Sequence, residues 1–303
     1  MEQNLTKFPQ ELLSLLNQDY SQEQLDNVIK AFNEIRFTTF RVNLTKSNCK
    51  EIESALINAN IKFEKNMVIE NAYKINVDDY TKLTSLDCYN NGDIYIQSFS
   101  SMLPPLLVDY KSNMDILDMC SAPGGKTTMI ASLSKNSCYI MACEKDKVRT
   151  EKLKFNVLKQ GATKVNVVNI DALKLDDFYK FDIVFLDAPC SGSGTLNKYS
   201  NSGKYFSKKL VENSSQLQKK LLNKAINITK TGGIIVYSTC SILKQENEDV
   251  IESSLNTNKV QLCEIDSKYQ QIPLLSSKLK QCLTIMPSQD YEGFFVAKLK
   301  KIK

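Results

Sequence analysis

The sequence contains no histidine among its 303 residues. This absence excludes catalytic Ser-His and Cys-His pairs and every histidine-ligated metal site, and no metal site is predicted. The nine cysteines are odd in number, and no two of them have the Cys-x-x-Cys spacing. Both facts argue against a disulfide framework and a zinc knuckle. We therefore expect a reducing interior, such as the cytoplasm.

Long apolar runs are also lacking. No run reaches the length of a membrane-spanning helix, and the N-terminal stretch MEQNLTKFPQ lacks the pattern of a secretory signal. We expect a monomer that is neither secreted nor bound to a membrane. Hydrophobic residues make up 42% and charged residues 24% of the chain, as in soluble globular proteins. The net charge of +5 is compatible with a nucleic-acid partner but is weak evidence for one.

The first part of the chain has helical patterns. Residues 1–34 are predicted to form N-terminal helices, with Ser21 as an N-cap and Gln24 at the capping-box position of the second helix. A later helix is expected to begin near Pro104, because proline is favoured in the first turn of a helix. We place the start of the catalytic domain, residues 104–303, at this helix.

Between these helices, residues 35–103 predict a small α/β domain. A strand is expected at 37–43, a helix from Ser47 and a further strand near 74–77. This domain could be a packing appendage. It could also recruit RNA, in which case Arg41 is a candidate contact to phosphates.

From residue 104 onward, strand and helix patterns alternate, which predicts an α/β fold with a doubly wound, mainly parallel sheet. The last two strands are close in sequence and predict an antiparallel hairpin at the edge of the sheet. The strands are predicted at 114–120, 138–143, 165–170, 181–186, 234–238, 283–286 and 294–299, and the helices at 126–133, 147–160, 215–229 and 246–255.

Two cysteines follow two of these strands directly. Asp187 ends the fourth strand and Cys190 comes three residues later, while Cys240 follows the fifth strand. The carboxyl ends of strands in an open α/β sheet are where ligands bind, so the two thiols could face one pocket with Asp187 beside them. The alternative is that both cysteines are buried as small hydrophobic residues.

A glycine-containing loop, Cys120-Ser-Ala-Pro-Gly-Gly-Lys-Thr, joins the first core strand to its helix. It lacks the first glycine of a Walker A motif and the complete GxGxxG fingerprint. Glu144 ends the second strand, at an offset typical of a carboxylate that binds ribose hydroxyls, and Asp171 ends the third, where it could meet the edge of an adenine. Together these features suit a nucleoside without bulky phosphates, such as S-adenosylmethionine. The alternative is a glycine turn with two solvated acids.

Three blocks of sequence together resemble the Sun/Fmu-type RNA (cytosine-5) methyltransferases, also called the RsmB/NOP/Sun class. They are residues 118–127 (DMCSAPGGKT), 187–194 (DAPCSGSG) and 237–241 (YSTCS). The resemblance extends to 41–43 (RVN), 95–102 (YIQSFSSM) and 292–297 (EGFFVA). The paired Pro-Cys and Thr-Cys blocks, in this order, are highly specific to the family.

The resemblance implies a Rossmann-like fold and an enzyme that transfers a methyl group from S-adenosylmethionine to carbon 5 of a cytosine in rRNA or tRNA. It places the nucleophile at Cys240 and the cysteine that assists product release at Cys190. The cofactor contacts implied by the resemblance are Cys120, Ser121, Ala122, Pro123, Gly124, Gly125, Lys126, Glu144, Arg149, Asp171 and Asp187.

In the mechanism that follows, the Cys240 thiolate adds to carbon 6 of the base, and Asp187 hydrogen-bonds the edge of the base. Lys126 and Arg149 are candidate cations near the thiolate. The base must be unpaired or flipped out, which favours RNA loops. Residues 198–209 (KYSNSGKYFSKK) interleave basic and aromatic side chains. Lys198, Lys204 and Tyr205 could contact RNA there, or the segment could be a solvated loop.

Three other functions remain open at this stage. The chain could be a methyltransferase of the same fold that acts on a small molecule or a protein, which would not need the second cysteine. It could also be a non-catalytic RNA-binding scaffold. DNA cytosine methylation is the third, but DNA-type enzymes use the Pro-Cys cysteine as nucleophile, and the additional Thr-Cys block favours RNA.

Overall fold

The structure is a computed structural model that describes residues 8–199 and 202–303. It opens with two helices, α1 (Gln10–Asp19) and α2 (Gln22–Phe32). Ser21 caps α2 by accepting a hydrogen bond from the Gln24 amide, as predicted. The side-chain oxygen of Gln24 instead accepts from Ser276, so the reciprocal half of the capping box does not form. The buried faces of both helices pack against Leu196, Ile242 and Leu243, which come shortly after Cys190 and Cys240 in the chain.

A four-stranded antiparallel sheet follows, in the order β2-β3-β1-β4. The helix predicted from Ser47 begins instead at Cys49, because the Asn48 side chain accepts a hydrogen bond from the Glu51 amide and caps it. The elements are β1 (Thr38–Val42), α3 (Cys49–Asn58), β2 (Phe63–Lys65), β3 (Ala72–Ile75), α4 (Tyr80–Ser85), α5 (Asp87–Asn90) and β4 (Ile94–Ile96).

The helix expected to start near Pro104 begins earlier, as α6 (Phe99–Leu106). Ser98 caps it by accepting a hydrogen bond from the Ser101 amide, so both prolines lie near its end. Pro105 has no N–H to donate to the Ser101 carbonyl four residues earlier. The Gln97 side-chain amide donates to that carbonyl instead, at 3.0 Å. The prediction of the helix start was therefore wrong, and the boundary proposed at residue 104 falls inside α6.

The main sheet has eight strands, in the order β10-β12-β9-β8-β5-β6-β7, with β11 also paired to β12. The pairs from β9 through β8, β5 and β6 to β7 are parallel, whereas β12 is antiparallel to all its neighbours. The strands are β5 (Asp115–Asp118), β6 (Tyr139–Glu144), β7 (Val165–Asn169), β8 (Phe181–Asp187), β9 (Thr229–Thr239), β10 (Val260–Leu262), β11 (Leu283–Ile285) and β12 (Phe294–Lys301).

This order confirms the predicted doubly wound, mainly parallel sheet. The predicted hairpin between the last two strands also forms, as β11 and β12. β12 is not at the edge, because it pairs with β9 on one side and with β11 and β10 on the other. The short β10 was not predicted.

Helices cover both faces of the main sheet, and two apolar cores result. One core joins the sheet to α6 and to α7 (Gly125–Leu133) and α8 (Lys147–Lys159). The other joins it to α9 (Lys208–Ile228) and α10 (Glu248–Leu255). α9 begins earlier than predicted because Ser207 caps it, accepting a hydrogen bond from the Leu210 amide. In the described part of the chain, no helix combines the length and apolar character needed to cross a membrane.

Candidate active site

The loops that carry the two cysteines leave adjacent strands side by side. Asp187 at the end of β8 pairs in register with Ser238 near the end of β9. This register brings the Cys190 sulfur to 2.9 Å from the Cys240 sulfur. The contact with Cys240, together with burial, raises the pKa of the Cys190 thiol well above its usual value. Cys190 therefore carries its proton at neutral pH.

Asp187 and Lys126 form an ion pair beside the cysteines. The Asp187 carboxylate accepts from the Lys126 ammonium at 2.7 Å through one oxygen and from the Ser238 hydroxyl at 2.7 Å through the other. Lys126 is buried and also donates to the Ser101 hydroxyl at 2.8 Å. The pair therefore has a fixed position, set by residues from α6, α7, β8 and β9.

A cavity of about 470 Å³ opens over this pair and Cys240. Its walls come from three parts of the chain: the ends of the main strands, the small sheet with α6, and the stretch before β12. The small sheet and α6 supply Tyr95, Gln97 and Ser101, and the stretch before β12 supplies Glu292. The space is large enough for a single nucleobase and part of a second ligand.

The glycine loop forms another wall of the same cavity. Gly124 has φ +111°, a left-handed conformation that side chains rarely adopt, and it is the N-cap of α7. With no capping side chain there, the N–H groups of the first turn are open to an anionic group. A Cβ atom on Gly125 would lie 3.3 Å from the side chains of Gln97 and Tyr95. Gly125 thus lets the helix start close to the small sheet.

Arg41 supports this loop from inside the protein. It is 3% exposed, and its guanidinium donates to the Gln97 side chain, the Gly125 carbonyl and the Thr128 hydroxyl. Burial lowers the pKa of Arg41 to about 10. The prediction that Arg41 contacts RNA phosphates was wrong, because the side chain is enclosed between the small sheet and α7.

A second, smaller cavity of about 50 Å³ lies at the ends of β6 and β7. Glu144 is buried in its wall, accepts from the Asp146 amide and lies 3.3 Å from an Arg149 nitrogen. Arg149 also donates to the Ala122 carbonyl, which ties this wall to the glycine loop. Cys120 lines both cavities. Its burial raises the pKa of its thiol, so this thiol is neutral between the two spaces.

The remaining wall of the smaller cavity suits an aromatic ring. Ile170, Leu217 and Leu221 supply apolar surface, and Asp171 lies at the rim. One Asp171 oxygen accepts from the Leu173 amide, which fixes the direction of the carboxylate. The structure therefore brings the predicted cofactor residues other than Gly124 to two neighbouring cavities that share Cys120, with Glu144, Arg149 and Asp171 in one and Lys126 and Asp187 in the other.

Comparison with known proteins now identifies the family. A family model described as "16S rRNA methyltransferase RsmB/F" matches residues 105–300. The chain belongs to the RsmB/F methyltransferase family. It is 32% identical to ribosomal RNA small subunit methyltransferase F of Shewanella piezotolerans, over 98% of this chain and 65% of that protein. It is 35% identical to the 25S rRNA (cytosine-C(5))-methyltransferase nop2 of Schizosaccharomyces pombe, over 88% of this chain and 46% of that protein.

A solved structure agrees with this membership in the RsmB/F family. The crystal structure of a methyltransferase homolog protein from Pyrococcus horikoshii superposes with a TM-score of 0.81 at 30% identity, covering 97% of this chain and 100% of that one. The fold is thus the Rossmann-like methyltransferase fold. The chain spans about half to two thirds of the length of the two relatives named above.

Asp118 and Arg36 belong to this site but were not predicted from the sequence. Asp118, at the end of β5, lines the larger cavity and is 1% exposed. Its Oδ2 accepts from the Thr127 hydroxyl at 2.6 Å, but its Oδ1 has no hydrogen-bond partner among the described residues. The strand-end argument used for Asp187 applies equally to Asp118 and could have found it. Arg36 donates to the carbonyls of residues 194, 195 and 196 after Cys190, and no local pattern indicates such long-range contacts.

The RNA contacts predicted at residues 198–209 stay predictions. Tyr205 is 83% exposed, and the Lys198 ammonium lies 4.8 Å from the centre of the exposed Tyr199 ring. The side chain of Lys204 lies outside the described residues. The backbone amide of Lys198 donates to the Phe32 carbonyl, so α2 anchors the start of this segment.

Proposed function

We propose that this protein transfers a methyl group from S-adenosylmethionine to carbon 5 of a cytosine in RNA, through a covalent bond between Cys240 and the base. The contact between the Cys190 and Cys240 sulfurs, with the Lys126–Asp187 pair in the same cavity as Cys240, carries this proposal. A methyltransferase for small molecules or proteins has no use for two thiols in contact. The rRNA of the small or large ribosomal subunit is the substrate class that the relatives' names favour.

The residues that line the two neighbouring cavities suit S-adenosylmethionine. The apolar walls and Asp171 of the smaller cavity suit the adenine, and Glu144 suits the ribose hydroxyls. The unpartnered Oδ1 of Asp118 suits the ammonium of the methionine part, and the first turn of α7 suits its carboxylate. When bound, S-adenosylmethionine supplies an electrophilic methyl group next to the cytosine.

Cys240 activates the base by covalent catalysis. Carbon 5 of cytosine is too weak a nucleophile to be methylated directly, so the Cys240 sulfur first adds to carbon 6. The electron pair of the 5,6 double bond then becomes available at carbon 5, and negative charge develops on ring nitrogen 3. The Lys126–Asp187 pair holds a proton in the cavity and can share it with this nitrogen. Of the two candidate cations, Lys126 lines the cavity of Cys240, whereas Arg149 lines the smaller one.

Cys190 acts after methylation. The carbon 5 proton passes to solvent, its electron pair restores the double bond, and the bond between carbon 6 and the Cys240 sulfur breaks with its electron pair on the sulfur. Cys190 contacts that sulfur and assists this release. Both thiols must stay reduced, which favours a protein that works in the cytoplasm or another reducing interior.

RNA recognition is proposed for the small sheet and for residues 198–209. β4 and the residues after it contribute Tyr95 and Gln97 to the cavity, so the small sheet lies next to the base that reacts. The exposed Tyr199 and Tyr205 rings are suited to stacking on unpaired bases.

The test is transfer of labelled methyl from S-adenosylmethionine to total rRNA and tRNA. The wild type should label RNA and Cys240→Ala should not, while Cys190→Ala should accumulate a protein–RNA adduct that survives denaturation. Cys263→Ala is the matched control, because Cys263 is a half-buried free thiol after β10, away from the site. If Cys240→Ala traps the adduct and Cys190→Ala does not, the two roles are reversed. If no RNA is labelled although S-adenosylmethionine binds, the proposed function is wrong.

A further inference from the structure

A buried carboxylate bonds to both cysteine loops, which are also joined directly by bonds of Ser193 to Ser241 and Ile242 and of the Gly194 amide to the Cys240 carbonyl. Glu246, just before α10, is 0% exposed. One of its oxygens accepts from the Ser191 amide at 2.7 Å, and the other accepts from the Ser191 hydroxyl and the Ser241 hydroxyl, both at 2.6 Å. Ser191 follows Cys190 and Ser241 follows Cys240. The carboxylate therefore holds the residue next to each thiol.

We propose that Glu246 is a positioning residue that fixes the distance between Cys190 and Cys240, so that Cys190 can assist release of the Cys240 adduct. The effect of Glu246 on release rests on the proposed function. The geometric part, that Glu246 fixes the distance between Cys190 and Cys240, does not. Glu246 lies behind the two loops and does not line the cavity. It therefore acts through the cysteines and not on the substrate.

Hydrogen bonds from β9 hold residues 246 and 247 in place, so the Glu246 carboxylate extends from a fixed backbone position. The Tyr237 hydroxyl donates to the Glu246 carbonyl at 2.6 Å. Asn247 donates to the Ser241 carbonyl at 2.9 Å and accepts from the Thr239 hydroxyl at 2.6 Å. Thr239 and Ser241 are the two neighbours of Cys240. Residues 246 and 247 thus fix the Cys240 loop from both sides, and of these two residues Glu246 is the one that also bonds the Cys190 loop.

The charge of Glu246 is compensated by hydrogen bonds. Among the described residues, no lysine or arginine forms an ion pair with it, and its donors are the serine groups and the more distant Gln218 amide. Burial raises the pKa of Glu246, and these donors oppose the rise. The nearby negative charge also contributes to the raised pKa of Cys190, which keeps the proton on the releasing thiol.

The geometric part is tested without RNA or S-adenosylmethionine, by titration with phenylarsine oxide. This reagent loses its oxygen as water when its arsenic bonds to two neighbouring thiols. We expect the wild type to bind it tightly and Cys190→Ala to lose that binding. Glu246→Ala should weaken it by about 10-fold or more, as expected when hydrogen bonds to a buried carboxylate are lost. Glu246→Gln, which can still bond both serines, should stay within about 3-fold of the wild type.

Glu248→Ala is the matched control. Glu248 is also 0% exposed and lies two residues further on, but it bonds neither cysteine loop within the described chain. We expect phenylarsine oxide to bind this variant within about 3-fold of the wild type. Ser191→Ala removes one hydroxyl bond to Glu246, should weaken binding less than Glu246→Ala, and covers the case in which Glu246→Ala does not fold. Ser241→Ala is less selective, because the Ser241 hydroxyl also bonds Ser193. Wild-type affinity in Glu246→Ala, or equal weakening in Glu248→Ala, would overturn the proposal.

The catalytic part is tested by following adduct formation and adduct release separately on labelled RNA. Glu246→Ala should slow release by about 10-fold while formation changes by less than about 3-fold, because the addition step does not use Cys190. Glu246→Gln should restore most of the release rate. Equal loss in both steps would contradict a positioning role. If the arsenical result holds but no RNA forms an adduct, the geometric inference stands and the proposed function fails.

Discussion

Replacing Asp118 with asparagine should remove a pH-dependent loss of stability and weaken the binding of S-adenosylmethionine. Burial raises the pKa of Asp118 from 3.8 to about 6, against the opposing hydrogen bond from Thr127. A difference of about two pKa units corresponds to about 3 kcal/mol of unfolding free energy. The folded protein therefore carries an ionised, unfavourably buried carboxylate at neutral pH.

The sign of the pH dependence follows from these pKa values. Because the folded-state pKa lies above the unfolded one, the group stabilises the fold fully only below pH 3.8 and loses that contribution as the pH rises to about 6. The unfolding free energy of Asp118→Asn, relative to the wild type, should thus increase by up to about 3 kcal/mol over this interval and then stay constant.

Urea denaturation at closely spaced pH values, without ligand, measures this difference, and calorimetry measures S-adenosylmethionine binding. In the wild type the affinity should fall as Asp118 becomes protonated below about pH 6, because a neutral carboxyl attracts an ammonium less. In Asp118→Asn it should be weaker by about 10-fold at neutral pH and insensitive to pH. A stability difference that does not change with pH, or an unaltered affinity, would refute the reasoning.

Three further predictions concern contacts around the site. Gly194→Ala places a Cβ atom 2.0 Å from the Gly293 carbonyl oxygen and should cost about 3 kcal/mol of unfolding free energy. Its control is Gly232→Ala, where φ is +83° and no atom lies within 4 Å, and which should cost about 1 kcal/mol. Urea denaturation measures both. Arg41→Ala should lower the melting temperature without a selective loss of RNA affinity, measured by filter binding below that temperature. Glu144→Gln should weaken S-adenosylmethionine binding by about 10-fold by calorimetry and leave RNA affinity unchanged.

Much of the fold could be predicted because the buried strands are short apolar runs between turn residues. The β8 run ends at Asp187 before Pro189, and the structure ends the strand there. The predicted helix starts were less accurate where a capping residue and a proline each indicate a different first residue. At α6 the serine cap outweighs the proline pair, because a side chain from outside the helix bonds the carbonyl that proline leaves free. Short strands such as β10 gave too little pattern to be recognised.

The site was predictable where its residues lie at strand ends. Asp187 ends a buried strand and the two cysteines follow buried strands, so the parallel register places their loops side by side. Arg41 was misassigned because a charged residue on a strand is usually exposed, and only the packing of the small sheet on α7 buries it. Glu246 gave no signal, since its partners are set by the meeting of two distant loops.

The hydrogen bond from Arg41 to the Gly125 carbonyl ties the small sheet to the glycine loop of the main domain. The family match begins at residue 105, yet Arg41, Tyr95 and Gln97 shape the glycine loop and the cavity from outside that span. The small sheet is therefore not a detachable adaptor. Exchanging it between relatives would alter the cavity beside the two cysteines, and under the proposed function it would change the pocket for the methyl donor and the choice of RNA together.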